Sequence, residues 1–192
     1  MKKAKFKDIF IPTISLFLIC MVITAALAIT NSVTADKIAE NEAQKKTESM
    51  QTVVPDAASF EALDTDDAEA YFGLDANGNI IGYAISTTAT GYGGQVKVMT
   101  GIGTDSAIIG VDVFYNDDET PGLGKNTSNE SFTDQYSGLF ADNDIVVSKD
   151  DTAGSAQTVD AVTSATISSR AVTKAVNEAL TIYNEIQAKE GA

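Results

Sequence analysis

The chain opens with one long apolar run and then breaks into short segments of alternating or helical period. From residue 9 to residue 35 no position is charged, and residues 9–29 are almost wholly apolar. About 21 residues at roughly 1.5 Å each reach about 30 Å, the hydrocarbon thickness of a bilayer, so this run predicts a transmembrane helix. Pro12, near its start, is expected to kink it modestly. Residues 34–54 keep a helical spacing, with Ile38, Ala39, Glu42, Ala43 and Lys46 among interspersed charges, until Pro55 stops them. They predict a stalk that continues the membrane helix.

Beyond residue 54 the period shortens. The segment "AYFGLDANGNIIGYAIS" predicts a hairpin: a strand over residues 71–74, Asn77-Gly78 as the turn, and a strand over residues 80–86. Residues 95–101, where Val96 and Val98 alternate with polar positions, predict another strand, and residues 107–115 one more. "NDDETPGLGKN" interrupts the pattern with proline and spaced glycines. Residues 131–140 read as helix, 145–147 as a short strand and 150–157 as a polar loop. Residues 167–188 predict a long helix, with Ala171, Val172, Ala175, Val176, Ala179, Leu180 and Ile186 on one stripe. This order predicts an α+β fold: a mainly antiparallel sheet with packed helices, preceded by one N-terminal transmembrane helix. The expected organisation is residues 1–8 cytoplasmic, 9–33 in the membrane, 34–54 a helical stalk and 55–192 an extracytoplasmic domain.

Charge sets the orientation. Lys2, Lys3, Lys5 and Lys7 precede the apolar run, which places the N-terminus in the cytoplasm and the remainder outside. A cleaved signal peptide is the rival reading, because Ala26-Leu27-Ala28 is an A-x-A site. The apolar run exceeds the usual core of about 7–15 residues, so the uncleaved anchor is preferred. A lipoprotein reading of Cys20 fits poorly, since bulky Leu18-Ile19 precedes it and apolar residues continue after it. The net charge is −14, and residues 9–192 alone carry −17. Such a surface repels nucleic acid phosphates and suits a solvated life beyond the membrane.

Two residue counts narrow the chemistry. The single Cys lies inside the apolar run and there is no His. The exposed domain therefore has no disulfide, no C-x-x-C-H haem site, no iron–sulfur ligands and no His/Cys zinc site. Hydrolysis by a Ser–His–Asp triad is excluded as well. Redox chemistry here would need an organic cofactor held by something other than thiolate or imidazole. Asp75, Asn77 and Asn79 resemble part of a calcium loop, but Gly78 falls at the fourth position and no Glu closes twelve residues, so the turn is preferred.

The stretch "DAVTSATISSR" is rich in hydroxyls, Thr163, Ser164, Thr166 and Ser168 among them, at the start of the last helix. One hydroxyl suffices to cap a helix. A helix N-terminus also stabilises a phosphate, which a hydroxyl there could carry covalently. Taken alone, the stretch is read more simply as a cap with incidental neighbours. Two glycine-bearing loops, "TATGYGGQV" and "ETPGLG", each follow a strand and allow close backbone approach to a ligand. Neither matches a P-loop or a dinucleotide fingerprint.

Together, the anchor, the stalk, "GYGG", "ETPGLG", "FTDQYSG" and a final D-x-x-[ST]-[GS]-A-[TS] resemble the FMN-binding domain family of RnfG, the G subunit of the Rnf complex. That family includes the C subunit of the sodium-pumping NADH:quinone reductase. The resemblance covers nearly the whole chain. It implies FMN joined through a phosphoester to the last residue of the motif, Thr166, by a separate flavin transferase with FAD as donor. It implies that Asp160, Thr163, Ser164 and Ala165 form the transferase's recognition element and the surroundings of the phosphate. Glu119, Thr120, Gly122, Leu123 and Gly124 would lie against the flavin. The family's G-Y-x-G falls on Gly91, Tyr92, Gly93 and Gly94, with Tyr92 beside the cofactor. The commonest form of the motif has Gly where this chain has Ser164, and a positive φ there would strain serine. The implied function is an electron relay within an Rnf-type complex that couples ferredoxin:NAD⁺ electron transfer to Na⁺ or H⁺ translocation, with the other membrane and redox subunits as partners. The alternatives are a free-standing cell-surface flavoprotein, the corresponding quinone-reductase component, and a non-redox surface binding module.

Overall fold

The computed structural model describes residues 6–63, 69–148 and 157–190. Lys2, Lys3 and Lys5, and the polar loop expected over residues 150–157 as far as residue 156, lie outside the described residues. Helix α1, Phe6–Val53, passes through Pro12 without a break. Every side chain from Phe10 to Val33 is exposed. Among the described residues α1 is the one helix long and apolar enough to cross a membrane. Contacts divide the chain into residues 1–44 and 45–192, so the globular unit takes in the end of α1 from Lys45 onward.

Within that unit, β1 (Ser59–Leu63), β2 (Glu69–Leu74), β3 (Ile80–Thr90), β4 (Gln95–Gly103) and β5 (Ile108–Tyr115) form an antiparallel sheet in chain order. A 3₁₀ turn, Gly124–Ser128, leads into α2 (Glu130–Thr133) and a second 3₁₀ turn, Asp134–Tyr136. Strands β6 (Ile145–Val147) and β7 (Gln157–Val159) pair in parallel, and α3 (Thr166–Glu190) closes the fold. The α+β class is as expected, with antiparallel pairing throughout the main sheet.

Alternation decides what each face of the sheet receives. Tyr83, Ile85, Val96, Val98, Val111 and Val113 face α3, whose stripe Val172, Ala175, Val176, Ala179 and Tyr183 covers them. The Thr87 hydroxyl donates to the Ala175 carbonyl at 2.9 Å and ties the helix to β3. On the opposite face Ala84 and Met99 meet Met50 and Val53 from the end of α1 and Val54 just after it. Glycine makes that second contact possible. Gly73 stands opposite Gly82, and Gly101 opposite Gly110, so no side chain stands between these strands and the end of α1. A Cβ at Gly101 would fall on the Val53 carbonyl.

Three local differences have physical reasons. The β2–β3 connection is not a two-residue turn at Asn77-Gly78, because only Gly78 has a positive φ (83°). Asp75 organises it instead: its carboxylate accepts the Asn77 and Asn79 amides at 2.7 and 2.9 Å. The helix expected over residues 131–140 stops early, for Ser137 is extended and Gly138 takes φ 78°. Strands β1 and β7 were not anticipated. Three side-chain amides hold the connections around β6 and β7. Asn177 pairs with both backbone groups of Ile145, Gln157 with those of Phe140, and Gln135 with those of Asp160.

Candidate functional site

Helix α3 begins at Thr166. The Ala165 carbonyl accepts the first helical hydrogen bond, from the Ser169 N–H at 2.9 Å, and alanine has no side chain to cap with. The buried Ser169 hydroxyl does related work from one turn inside: it accepts the Val162 N–H at 3.0 Å and donates to the Ala165 carbonyl at 3.0 Å. Gln135 and Ser148 fix the start of the same segment, Gln135 by gripping the Asp160 backbone and Ser148 by donating to its carboxylate at 2.6 Å. Pinned at both ends, the segment turns through Ser164, at φ 63°.

This leaves the start of α3 open. Among the described residues, no hydrogen bond reaches the N–H groups of Thr166, Ile167 or Ser168, or the Thr166 hydroxyl. Free amides at a helix start carry partial positive charge, and they attract an anion by about 0.3–1 kcal/mol when exposed. Thr166 is half-buried on the wall of a cavity of about 430 Å³, together with Tyr92, Glu119, Thr120, Leu123, Gly124, Ser164, Ala165, Ile167 and Ser168. Three apolar side chains stand unusually far out at its rim: Tyr92 is 72 % exposed, Ile167 54 % and Leu123 40 %. A planar aromatic ligand would cover them.

A second hollow of about 810 Å³ adjoins the first across Leu123 and Ser164. It is lined by Gly122, Asn126, Asn129, Gln135, Asp160 and Thr163 among others. Among the described residues no Lys or Arg lines either hollow. A phosphate held here would be met by neutral donors, among them the backbone N–H groups at the start of α3. Behind the helix start, Tyr136 hydrogen-bonds Thr173 at 2.8 Å, and burial pushes its phenol well above the usual range.

One carboxylate joins the walls. Glu119 is 2 % exposed. Its Oε1 accepts the Tyr92 and Gly93 amides at 2.7 and 3.3 Å, and its Oε2 accepts the Ser168 hydroxyl at 2.8 Å. The glycines nearby make room for this acid. A Cβ at Gly91 or Gly124 would collide with the Glu119 carboxylate, and one at Gly93 with the Asp118 carbonyl. Of the residues in "GYGG", only Tyr92 lines the cavity.

Residues 1–53 match the family described as the RnfG N-terminal region, and residues 91–181 match the FMN-binding domain. The chain is 37 % identical, over 94 % of each sequence, to the G subunit of the Na⁺-translocating ferredoxin:NAD⁺ oxidoreductase complex of Acetobacterium woodii. The chain belongs to the RnfG family. It is also 30 % identical to the G subunit of the ion-translocating oxidoreductase complex of Methanosarcina acetivorans, over 96 % of this chain and 98 % of that one. To the G subunit of the proton-translocating ferredoxin:NAD⁺ oxidoreductase complex of Clostridium ljungdahlii it is 31 % identical, over 92 % and 94 %. In fold, it resembles the C subunit of the Na⁺-translocating NADH-quinone reductase of Parabacteroides distasonis, with a TM-score of 0.50, 23 % identity and 60 % of each chain covered.

Within this RnfG-family chain, the residues singled out from the sequence come together at one corner. Thr166, Ala165, Tyr92, Glu119, Thr120 and Gly124 share the first cavity, Asp160, Thr163 and Gly122 the second, and Leu123 and Ser164 both. Gly91, Gly93 and Gly94 stand behind Tyr92 and line neither hollow. Sequence reasoning missed Ile167 at the rim and Gln135, Ser168 and Ser169 as the residues that hold the corner. Ser168 did carry a signal. It lies four positions before Val172 and seven before Ala175, on the apolar stripe of α3, where a buried hydroxyl must find a partner.

Proposed function

We propose that this chain is a membrane-anchored flavoprotein that carries FMN as a phosphoester on Thr166 and relays electrons inside an Rnf-type complex. Its partners are the other membrane and redox subunits, together with a flavin transferase that loads Thr166 from FAD and releases AMP. The orientation follows the lysines ahead of the apolar run, with the N-terminus cytoplasmic and the FMN-binding domain outside. Relatives named for Na⁺ and for protons align with this chain along nearly its whole length, so its sequence is compatible with either coupling ion.

The observation that carries this reading is the Thr166 hydroxyl, unbonded among the described residues, half-buried, and set at the free amides of α3 on a cavity wall. The fit to FMN is chemical as well as spatial. An attached phosphate would find donors in the N–H groups of Thr166, Ile167 and Ser168. A ring system would find Tyr92, Leu123 and Ile167 to cover. A domain without His or Cys has no redox ligand of its own. FMN, when bound, supplies the transfer of one or two electrons, and the chain's task is to hold, orient and shield it. Covalent attachment keeps the cofactor from being lost to the medium outside the cell.

The test is intact mass of the full chain extracted from cells that contain the transferase. The wild type and Thr166→Ser are expected to show the added flavin phosphate and a fluorescent band after denaturing electrophoresis. Thr166→Val is expected at bare mass and dark. A fluorescent Thr166→Val band would assign the attachment elsewhere.

A further inference from the structure

We propose that Glu119 is the positioning residue of this site, holding the Tyr92 loop against the start of α3 so that the cavity wall stands before any ligand arrives. The purpose of that wall rests on Thr166 as the flavin carrier; the clamp itself does not. Segments far apart in the chain, residues 91–94, Glu119 and Ser168, meet at a single carboxylate. Apart from the Gly91–Gly94 closure within the loop, the Glu119 bonds are the only hydrogen bonds of residues 91–94 among the described residues. Tyr92 is therefore fixed through its N–H while its ring, 72 % exposed, stands out over the cavity. Each bond at the acid runs from an N–H or O–H inward, the pattern an acceptor-only carboxylate requires. No ion pair of Glu119 exists among the described residues, so these donors are what compensates its burial. The nearest atom that a methyl at Gly91 or Gly124 would strike is one of its oxygens, so the loops are shaped around the acid.

Hydrogen exchange on the full chain in detergent, without flavin, reads the clamp directly. In Glu119→Ala the Tyr92 and Gly93 amides are expected to exchange about tenfold faster or more, with β3 and β4 amides unchanged. Glu119→Gln keeps an acceptor oxygen and offers its NH₂ to the Ser168 oxygen, so protection is expected to survive. Glu119→Asp keeps the charge but is one methylene short, and protection is expected to fall. Unchanged exchange at Tyr92 and Gly93 in both Glu119→Ala and Glu119→Asp would overturn the proposal, as would a loss spread evenly over the sheet. If Glu119→Ala fails to fold, the contrast between Asp and Gln decides alone. The same variants made with the transferase present separate the two readings. A wild type that gains no flavin mass removes Thr166 as carrier, while the exchange result still judges Glu119.

Discussion

Two sets of glycines do the same thing in different places. In the sheet, Gly101 lets the end of α1 approach so closely that a Cβ would strike the Val53 carbonyl. At the site, Gly91, Gly93 and Gly124 let the Asp118–Glu119 segment approach, and a Cβ would strike its carbonyl or carboxylate. The difference lies in what is admitted. In the sheet it is the backbone of a packed helix, which has nowhere to go. At the site it is mainly one side chain, which could swing away and abandon its hydrogen bonds. Glycine loops beside a ligand cavity invite the reading that they let the ligand in. Here Gly91 and Gly93 are filled from behind by the protein's own acidic segment, and the face left for a ligand is made of Tyr92, Leu123 and the start of α3.

The largest expected effect comes from the rigid case. Gly101→Ala must push Val53 off the sheet or distort β4, and we expect a loss of about 3 kcal/mol or more in chemical unfolding of the full chain. The corresponding change at the site is softer. Gly124→Ala would meet the Glu119 carboxylate and the Ser168 hydroxyl, the latter at 2.7 Å. We expect a loss of about 2 kcal/mol, with faster exchange at Tyr92 and Gly93. In a Glu119→Ala background the same substitution should cost clearly less, because the group it displaces is gone. Equal costs in the two backgrounds would mean that Gly124 serves some need other than admitting the acid.

The same contrast marks what was legible in the sequence. Helix α1, the stripe of α3 and strands β2 to β5 announce themselves by period, because burial on one face imposes the spacing that is read. Strand β7 is three residues long and cannot display a period, and β1, "SFEAL", shows no clear alternation of burial. Thr166 was legible because a helix start is a local event, written within one turn of chain. The role of Glu119 was not. Its partners Tyr92 and Ser168 lie 27 and 49 residues away, and only the folded chain brings them together. The glycines at residues 91, 93 and 124 were visible, but a missing side chain does not say which neighbour requires its absence.

A conformational effect separates cleanly from both steric ones. Ser164 holds φ 63°, a left-handed conformation that costs a residue with a Cβ roughly 1–2 kcal/mol relative to Gly. Ser164→Gly is expected to remove that strain. Glycine is also freer in the unfolded chain, so the net gain should be about 1 kcal/mol or less. Thermal unfolding of the full chain measures it, and flavin loading at Thr166 should be retained. A destabilised Ser164→Gly would show that the serine hydroxyl, exposed beside the helix start, does more for the segment than its backbone costs.

The smallest effect belongs to the turn at Asp75, where acceptor chemistry resembles that at Glu119 but the acid is only partly buried. Asp75 takes hydrogen bonds from the Asn79 side chain and amide and from the Asn77 amide, and these lower its carboxyl to about 2 from 3.8. Gly78 beside it has open space where a Cβ would sit, so this glycine serves the turn's positive φ and admits nothing. The sign follows from the lowered value. The stabilisation is fully present above about 4, where the unfolded chain is also ionised, and it is lost as pH falls through about 2. Asp75→Asn should therefore be less stable than the wild type at neutral pH, by a small margin that narrows between pH 4 and pH 2. The turn's place at the surface keeps the effect small, because water competes for the hydrogen bonds the carboxylate accepts. A loss for Asp75→Ala as large as that of Glu119→Ala would mean that burial adds nothing to a carboxylate clamp. The glycines at residues 91 and 124 would then be guarding an acid no more important than one on the surface.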